Sequence, residues 1–270
     1  MSGAFGGQVV LITGASSGIG AELARQCAAA GARVALAARD ADALARVAEE
    51  CRTHGGEALV VPTDVTVEAQ CRAMVDRTVA HFGRLDMLVN NAGMSMSARF
   101  DEISDLSIFE RLLRLNVLGS IWSTAFALPH LKQTRGRIVA ISSLAGLTGV
   151  PKRSAYCASK HAMAGFFDAL RVELRDSGVS VTVVYPGFVR SEINRRALAA
   201  DGTPFGERAY LRQPREALET AACARQILRA AAGRKRDLIM TVQGKVGRIL
   251  KWLTPGLVDR LAFNATASRQ

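Results

Sequence analysis

The sequence predicts an open, doubly wound α/β domain, a single seven-stranded parallel sheet with helices on both faces. Two observations carry the prediction. Short, strand-like apolar runs alternate with segments of helical period almost from end to end of the 270 residues, and neither an internal repeat nor a low-complexity linker interrupts them. Apolar strands separated by helices specify parallel pairing buried on both faces, because each crossover helix must lie on the sheet. Seven such strands make one domain rather than two.

In chain order, a strand over Gln8–Thr13 precedes a helix over Ile19–Ala30, and Arg33–Ala37 precedes Ala41–His54. Glu57–Pro62 leads to Val67–Phe82, and Leu85–Val89 to a long helix, Leu106–His130. Arg137–Ser142 is followed by Ser154–Ser177, Val179–Tyr185 by Pro214–Ala232, and Asp237–Thr241 completes the sheet. Gly31, Gly83 and Gly178 each stand just after a helix, where a left-handed cap is wanted. Two segments break the rhythm. Residues 187–213 are polar and carry Pro204 and Gly206; they follow a strand's carboxyl end, where open α/β sheets bind ligands, so a substrate lid is expected. Beyond a catalytic domain over residues 1–244, the tail 245–270 mixes apolar residues with Arg248, Lys251 and Arg260 and is broken at Pro255-Gly256.

Charge and composition narrow the function. The formal net charge is +11, and residues 201–270 hold 13 Lys and Arg against 6 Asp and Glu. Nucleic-acid binding would need base-stacking aromatics among the cations, and these are few, so the charge reads as solvated helix faces and attraction for an anionic cofactor or lipid surface. No stretch of about 20 apolar residues suggests a membrane span, and the N-terminus lacks a secretory signal. The five scattered cysteines fit reduced thiols in a cytoplasmic protein, without the spacing of a metal site.

Thr13-Gly14-Ala15-Ser16-Ser17-Gly18-Ile19-Gly20 directly follows the first strand and opens the first helix. Gly14 allows the sharp turn, Gly18 a close approach of backbone to a pyrophosphate, and Gly20 close packing of helix on sheet. The free N–H groups and positive dipole end of the helix then face the phosphates. With Tyr156-Cys157-Ala158-Ser159-Lys160 further on, the chain resembles the short-chain dehydrogenase/reductase family over roughly residues 7–242, in its hydroxysteroid-dehydrogenase-like branch. The resemblance implies a Rossmann-like dinucleotide-binding domain and an oxidoreductase.

The end of the second strand speaks to the cofactor. An NAD site places an acid there to bond the ribose hydroxyls; here Ala38 and Arg39 follow, and a guanidinium suits a 2′-phosphate. NADP(H) is therefore expected, with NAD as the alternative. Ser17, where many NADP-dependent relatives carry a base, and Asp40 beside the clamp both weigh against it. The resemblance implies further contacts: Asp64 and Val65 at the adenine edge, and Asn90-Asn91-Ala92-Gly93, where Asn90 stabilises the sheet and the backbone at Ala92 lies along the cofactor. It also implies Pro186-Gly187, with nearby Val189, at the nicotinamide side, and Ser191 in place of the usual threonine.

Tyr156 and Lys160, four residues apart, share one helix face. A tyrosine with a pKa near 10 is a poor base at neutral pH, but a neighbouring ammonium favours its phenolate, and general acid/base work follows. The resemblance adds Ser143, thirteen residues before Tyr156, as a bond to the substrate oxygen, and Asn116 as the holder of a relay water. Met94, Met96, Leu144, Leu147, Val150, Phe188 and Val189 are expected around the pocket, with no Arg or carboxylate placed to grip a charged substrate, though Arg190 and Arg195 of the lid could change that. The expected activity is interconversion of a hydrophobic ketone and a secondary alcohol. An NAD-linked alcohol dehydrogenase and a non-catalytic NADP(H) sensor or scaffold are the alternatives. The resemblance also implies a homodimer or homotetramer paired through the two long helices. The tail, similar to those of hydroxysteroid-dehydrogenase-like relatives, is expected to pack on the body of the protein, with peripheral membrane contact as the alternative.

Overall fold

The computed structural model describes residues 5–190, 193–206 and 217–267, with side chains to residue 264. Seven strands, β1 (Val9–Thr13), β2 (Arg33–Ala38), β3 (Ala58–Pro62), β4 (Met87–Asn90), β5 (Arg137–Ile141), β6 (Ser180–Tyr185) and β7 (Asp237–Ile239), form one sheet in the order β3-β2-β1-β4-β5-β6-β7. Every pairing is parallel; Val10 of β1 sits opposite Val34 of β2 and Met87 of β4. The doubly wound expectation is met.

Strand alternation explains why β1 is apolar throughout. Val10 and Ile12 pack on one face with Leu23, Cys27, Leu44 and Ile227, from α1 (Gly18–Ala29), α2 (Ala41–Thr53) and α7 (Thr220–Ala232). Val9 and Leu11 pack on the other with Met74, Leu131 and Phe167, from α3 (Glu68–Phe82), α5 (Gly119–Thr134) and α6 (Ser154–Glu173). The chain leaves β1 toward β2 on one side, while β4 flanks it on the other. This reversal opens a cleft at the strands' carboxyl ends. Gly31, Gly83 and Gly178 have φ of 84°, 76° and 75°, as their positions after helices require.

The long helix expected over Leu106–His130 is instead α4 (Ser107–Leu113), a π turn (Arg114–Leu118) and α5. The wider turn falls on Asn116, which is fully buried. Gly119 follows it because a β-carbon there would lie 2.9 Å from the Val65 carbonyl. β7 is shorter than expected because Thr241 caps the next helix, its hydroxyl accepting from Gly244 N–H at 3.0 Å. The basic tail forms two helices, α8 (Val242–Leu253) and α9 (Pro255–Ala267), parted at the expected Pro255. Among the described residues no helix is long and apolar enough to cross a membrane.

Candidate active site

A cavity of about 1380 Å³ runs along the carboxyl ends of the strands. One half is walled by the glycine-rich turn. Gly14 and Gly18 have φ of 65° and 55°, a region that L side chains avoid. A β-carbon on Gly14 would lie 2.9 Å from the Ala92 Cα, and one on Gly20 would lie 2.3 Å from the Gly14 carbonyl oxygen. Gly20 therefore secures the turn itself, behind the cavity wall. Thr13 ties the turn to β4: its hydroxyl donates to the Val89 carbonyl and accepts from Asn91 N–H at 3.0 Å and Ala92 N–H at 3.1 Å. The Asn91 amide donates to the Thr13 and Gly14 carbonyls. Asn91, absent from the expected site, is thus the bracket that holds the turn.

Ser17 occupies the N-cap of α1, but its side chain makes no capping bond and no acid stands in the first turn. Those N–H groups, with the absence of β-carbons at Gly14 and Gly18, fit a dinucleotide pyrophosphate. Ser16, Ser17, Ile19, Asp64 and Val65 line the same half. Arg39 lines it too, exposed and with no ion pair among the described residues. Asp40, the competing charge, caps α2 instead, accepting from Ala43 N–H at 2.9 Å. Asn90 is buried off the cavity and donates to the Thr124 hydroxyl at 2.9 Å.

The other half holds the candidate catalytic residues. Ser143 N-caps a 3-10 turn (Leu144–Gly146) beyond β5 and accepts from Ala145 N–H at 3.2 Å. Its hydroxyl stands near enough to Tyr156 to lower the phenol's pKa, and both residues line the cavity. Burial pushes the Tyr156 phenol above its ordinary value, against the lowering effects of the Ser143 hydroxyl and of the nearby Arg153 charge. Lys160 reaches the lining from the same α6 face. Its Nζ donates to the Ile141 carbonyl at 2.8 Å and lies 5.8 Å from the Tyr156 ring centre. Burial pushes its pKa down to about 8. Ser143 and Arg153 oppose the rise in the Tyr156 pKa without reversing it.

Asn116 stands behind the lining. Its Oδ1 accepts from Met94 N–H at 2.9 Å, and its Nδ2 donates to the Met94 carbonyl and to the Ser159 hydroxyl. A β-carbon on Gly93 would lie 3.2 Å from Asn116 and 3.6 Å from the Lys160 ammonium, so all three residues meet at that glycine. Pro186, Gly187 and Val189 line the cavity as expected, the Pro186 carbonyl accepting from Leu144 N–H at 3.0 Å. Ser191 and part of the expected lid lie outside the described residues.

The substrate half departs from expectation in three respects. Met96 is fully buried in a cluster with Tyr156, and Met94 packs against that cluster, so neither methionine lines the cavity. Arg153 and Arg196 do line it, against the expectation of no arginine there. The tail helices supply a wall: Gly244, Arg248 and Leu250 of α8 and Val258 and Leu261 of α9 face the cavity. A β-carbon on Gly244 would meet the Leu144 side chain and force it to move, and Lys251 Nζ donates to the Leu147 carbonyl at 2.8 Å. Arg190 pairs with Glu219 at 2.7 Å. At the surface, His81 lies 3.4 Å from Glu57.

The family model described as short chain dehydrogenase matches residues 8–201. An 11-beta-hydroxysteroid dehydrogenase-like 4A protein of Arabidopsis thaliana is 39% identical over 249 residues, spanning 92% of this chain and 80% of its own. An 11-beta-hydroxysteroid dehydrogenase of Pinus massoniana is 37% identical over 268 residues, 95% of this chain and 74% of its own. A solved structure of a putative short-chain alcohol dehydrogenase from Sinorhizobium meliloti aligns with a TM-score of 0.67 at 30% identity, covering 70% of this chain and 75% of that one.

Proposed function

The chain belongs to the short-chain dehydrogenase/reductase family, as an NAD(P)-dependent oxidoreductase acting on CH–OH or C=O groups. From that premise we propose that it is an NADP(H)-dependent reductase of apolar ketones, with Tyr156 as general acid/base. The observation that carries this reading is that Tyr156 and Ser143 share one cavity with the glycine-rich turn and Arg39.

Each residue then has a task. Gly14, Ser16, Ser17, Gly18 and Ile19 hold the pyrophosphate, and Arg39 grips the 2′-phosphate, which no acid at position 38 repels. Asp64, Val65, Ala92, Pro186, Gly187, Val189 and Ser191 complete the cofactor's bed, with Gly20 and Asn90 securing the turn and the sheet. The nicotinamide ring, when bound, supplies the hydride. Ser143 bonds the substrate oxygen as negative charge grows on it. Tyr156, kept protonated at neutral pH by burial, delivers a proton to that oxygen, which suits reduction. Lys160 orients the cofactor ribose and restores the proton, aided by a water held near Asn116.

Other finer assignments are part of the same proposal. The domain over residues 1–244 works with the 245–270 segment as the wall of its substrate pocket. Trp252, Ile249 and Phe263 of that segment are 86%, 62% and 63% exposed, which supports peripheral membrane contact. Five free cysteines support a cytoplasmic site, and exposed apolar residues such as Val172 on α6 support a homodimer or homotetramer. A titration comparing NADPH with NADH, followed by a ketone panel read by NADPH consumption, tests the central claim. Tighter binding of NADH overturns the role of Arg39; tight NADPH binding with no turnover favours a sensor.

A further inference from the structure

Arg153 stands at the N-cap of α6, three residues before Tyr156, so it lies one helical turn from the tyrosine on the face that also bears Lys160. Its guanidinium carbon is 6.0 Å from the Tyr156 ring centre, and the Lys160 ammonium is 5.8 Å from the same point. The two cations differ in their surroundings. Lys160 is buried beside Gly93 and bonded to the Ile141 carbonyl. Arg153 is half-buried on the cavity lining, and its partner there is the neutral, buried Ser95 hydroxyl, which accepts from Nη1 at 3.2 Å. A guanidinium carries five N–H donors. Most of this fork is therefore left for something inside the cavity.

The charge around Arg153 is one-sided. Asp40 and Asp64, the acids among the described lining residues, stand with the glycine-rich turn and Arg39. The half beyond Tyr156 presents Arg153, Arg196 and Arg248 among apolar side chains such as Leu147, Val150, Leu250 and Leu261. Arg248 is matched by Asp237 at 3.0 Å, outside the lining. Arg196 is exposed and pairs with no acid among the described residues. Two uncompensated guanidinium groups in an apolar pocket discriminate by charge: a neutral ligand leaves them unpaired, and a cationic one is repelled.

We infer that the substrate is an anionic amphiphile, an apolar ketone or secondary alcohol bearing a carboxylate or sulfate that Arg153 binds, with Arg196 assisting. The inference rests on the oxidoreductase reading above and makes Arg153 a specificity-determining residue. Carboxylate and sulfate share the planar or tripodal oxygens that a guanidinium fork receives in pairs.

Four ketones with one apolar body decide it, ending in carboxylate, sulfate, methyl ester or trimethylammonium, each followed by NADPH consumption. Wild-type kcat/KM for an anionic form is expected to exceed that for the ester by about 10- to 100-fold, mainly through KM, with the cationic form poorest. Which anion is preferred separates carboxylate from sulfate. Arg153→Gln is expected to collapse the anion-to-ester ratio, and Arg153→Lys to restore part of it while keeping the charge beside Tyr156. Equal wild-type turnover of ester and anions overturns the inference. So does an Arg153→Gln variant that slows all four ketones by one common factor, the outcome of a role on Tyr156 alone. Failure of wild type to reduce any of the four overturns the underlying reductase reading instead, and the two failures are thereby distinct.

Discussion

Replacement of Lys160 by Met removes an ammonium that is 3% exposed and whose donors reach the Ile141 carbonyl at 2.8 Å and, weakly, the Met163 sulfur at 3.7 Å. Burial lowers its pKa from the ordinary 10.5 to about 8. Between those values the unfolded chain binds the proton and the folded one releases it, so wild-type stability rises with pH across that window. Below about pH 8 both states are protonated and the folded state bears the whole penalty. At about 1.4 kcal/mol per pH unit, that penalty is on the order of 3 kcal/mol. Met does not titrate. Loss of the bond to Ile141 adds a pH-independent offset of roughly 1–3 kcal/mol against the variant. The stability of Lys160→Met relative to wild type should therefore be highest near neutral pH and decline by roughly 2–3 kcal/mol toward pH 10.5. Urea unfolding of both cofactor-free proteins across that range measures the difference. A gap that stays constant with pH refutes the claim that Lys160 is a destabilising charge in the folded protein.

Three further outcomes follow from the same geometry. Gly20→Ala forces its methyl against the Gly14 carbonyl, 2.3 Å away, and the Asn91 amide, 2.5 Å away, so the turn must shift. Overpacking of this kind costs about 1–3 kcal/mol; thermal melts should show it together with weakened NADPH binding, and wild-type values for both would contradict the bracket described for Asn91. Tyr156→Phe should lower turnover by about 10²–10⁴-fold with little change in NADPH affinity, and a mutant of near-normal rate would remove Tyr156 from the chemistry. Asn116→Ala strands the Met94 N–H and carbonyl and removes the donor to the Ser159 hydroxyl, which keeps its own bond to the Tyr156 carbonyl. A loss of about 2–4 kcal/mol in denaturant unfolding is expected, and a neutral effect would argue that the π turn holds the Met94 segment without its side chain.

The fold was legible because its cause is local and repetitive. Runs such as Val9–Ile12 need burial on both faces, which fixes a parallel sheet, and Gly31, Gly83 and Gly178 mark where helices stop. The π turn was not legible: Arg114–Leu118 has ordinary helical composition, and the widened turn accompanies contacts from Asn116 to Met94 and Ser159 in distant segments. Arg153 was closer to reach. Its position three residues before Tyr156 on one helix face was available as a signal, but only the cavity shows that the face is lined rather than solvated. Met94 and Met96 failed as pocket residues for the converse reason: apolar side chains near a site serve equally well behind it.

By itself the sequence determined the doubly wound sheet, the phosphate-binding turn and the Tyr156–Lys160 spacing, because each depends on residues within a few positions of one another. Tertiary structure decided what those residues face. It brought Ser143 and Tyr156 to one cavity and folded α8 and α9 over its other half. It also left Arg153 with a neutral partner on the cavity wall. The physical reason is that burial and charge compensation are properties of what surrounds a side chain. For these groups the surroundings come from segments up to about a hundred residues away, as with Lys251 on the Leu147 carbonyl.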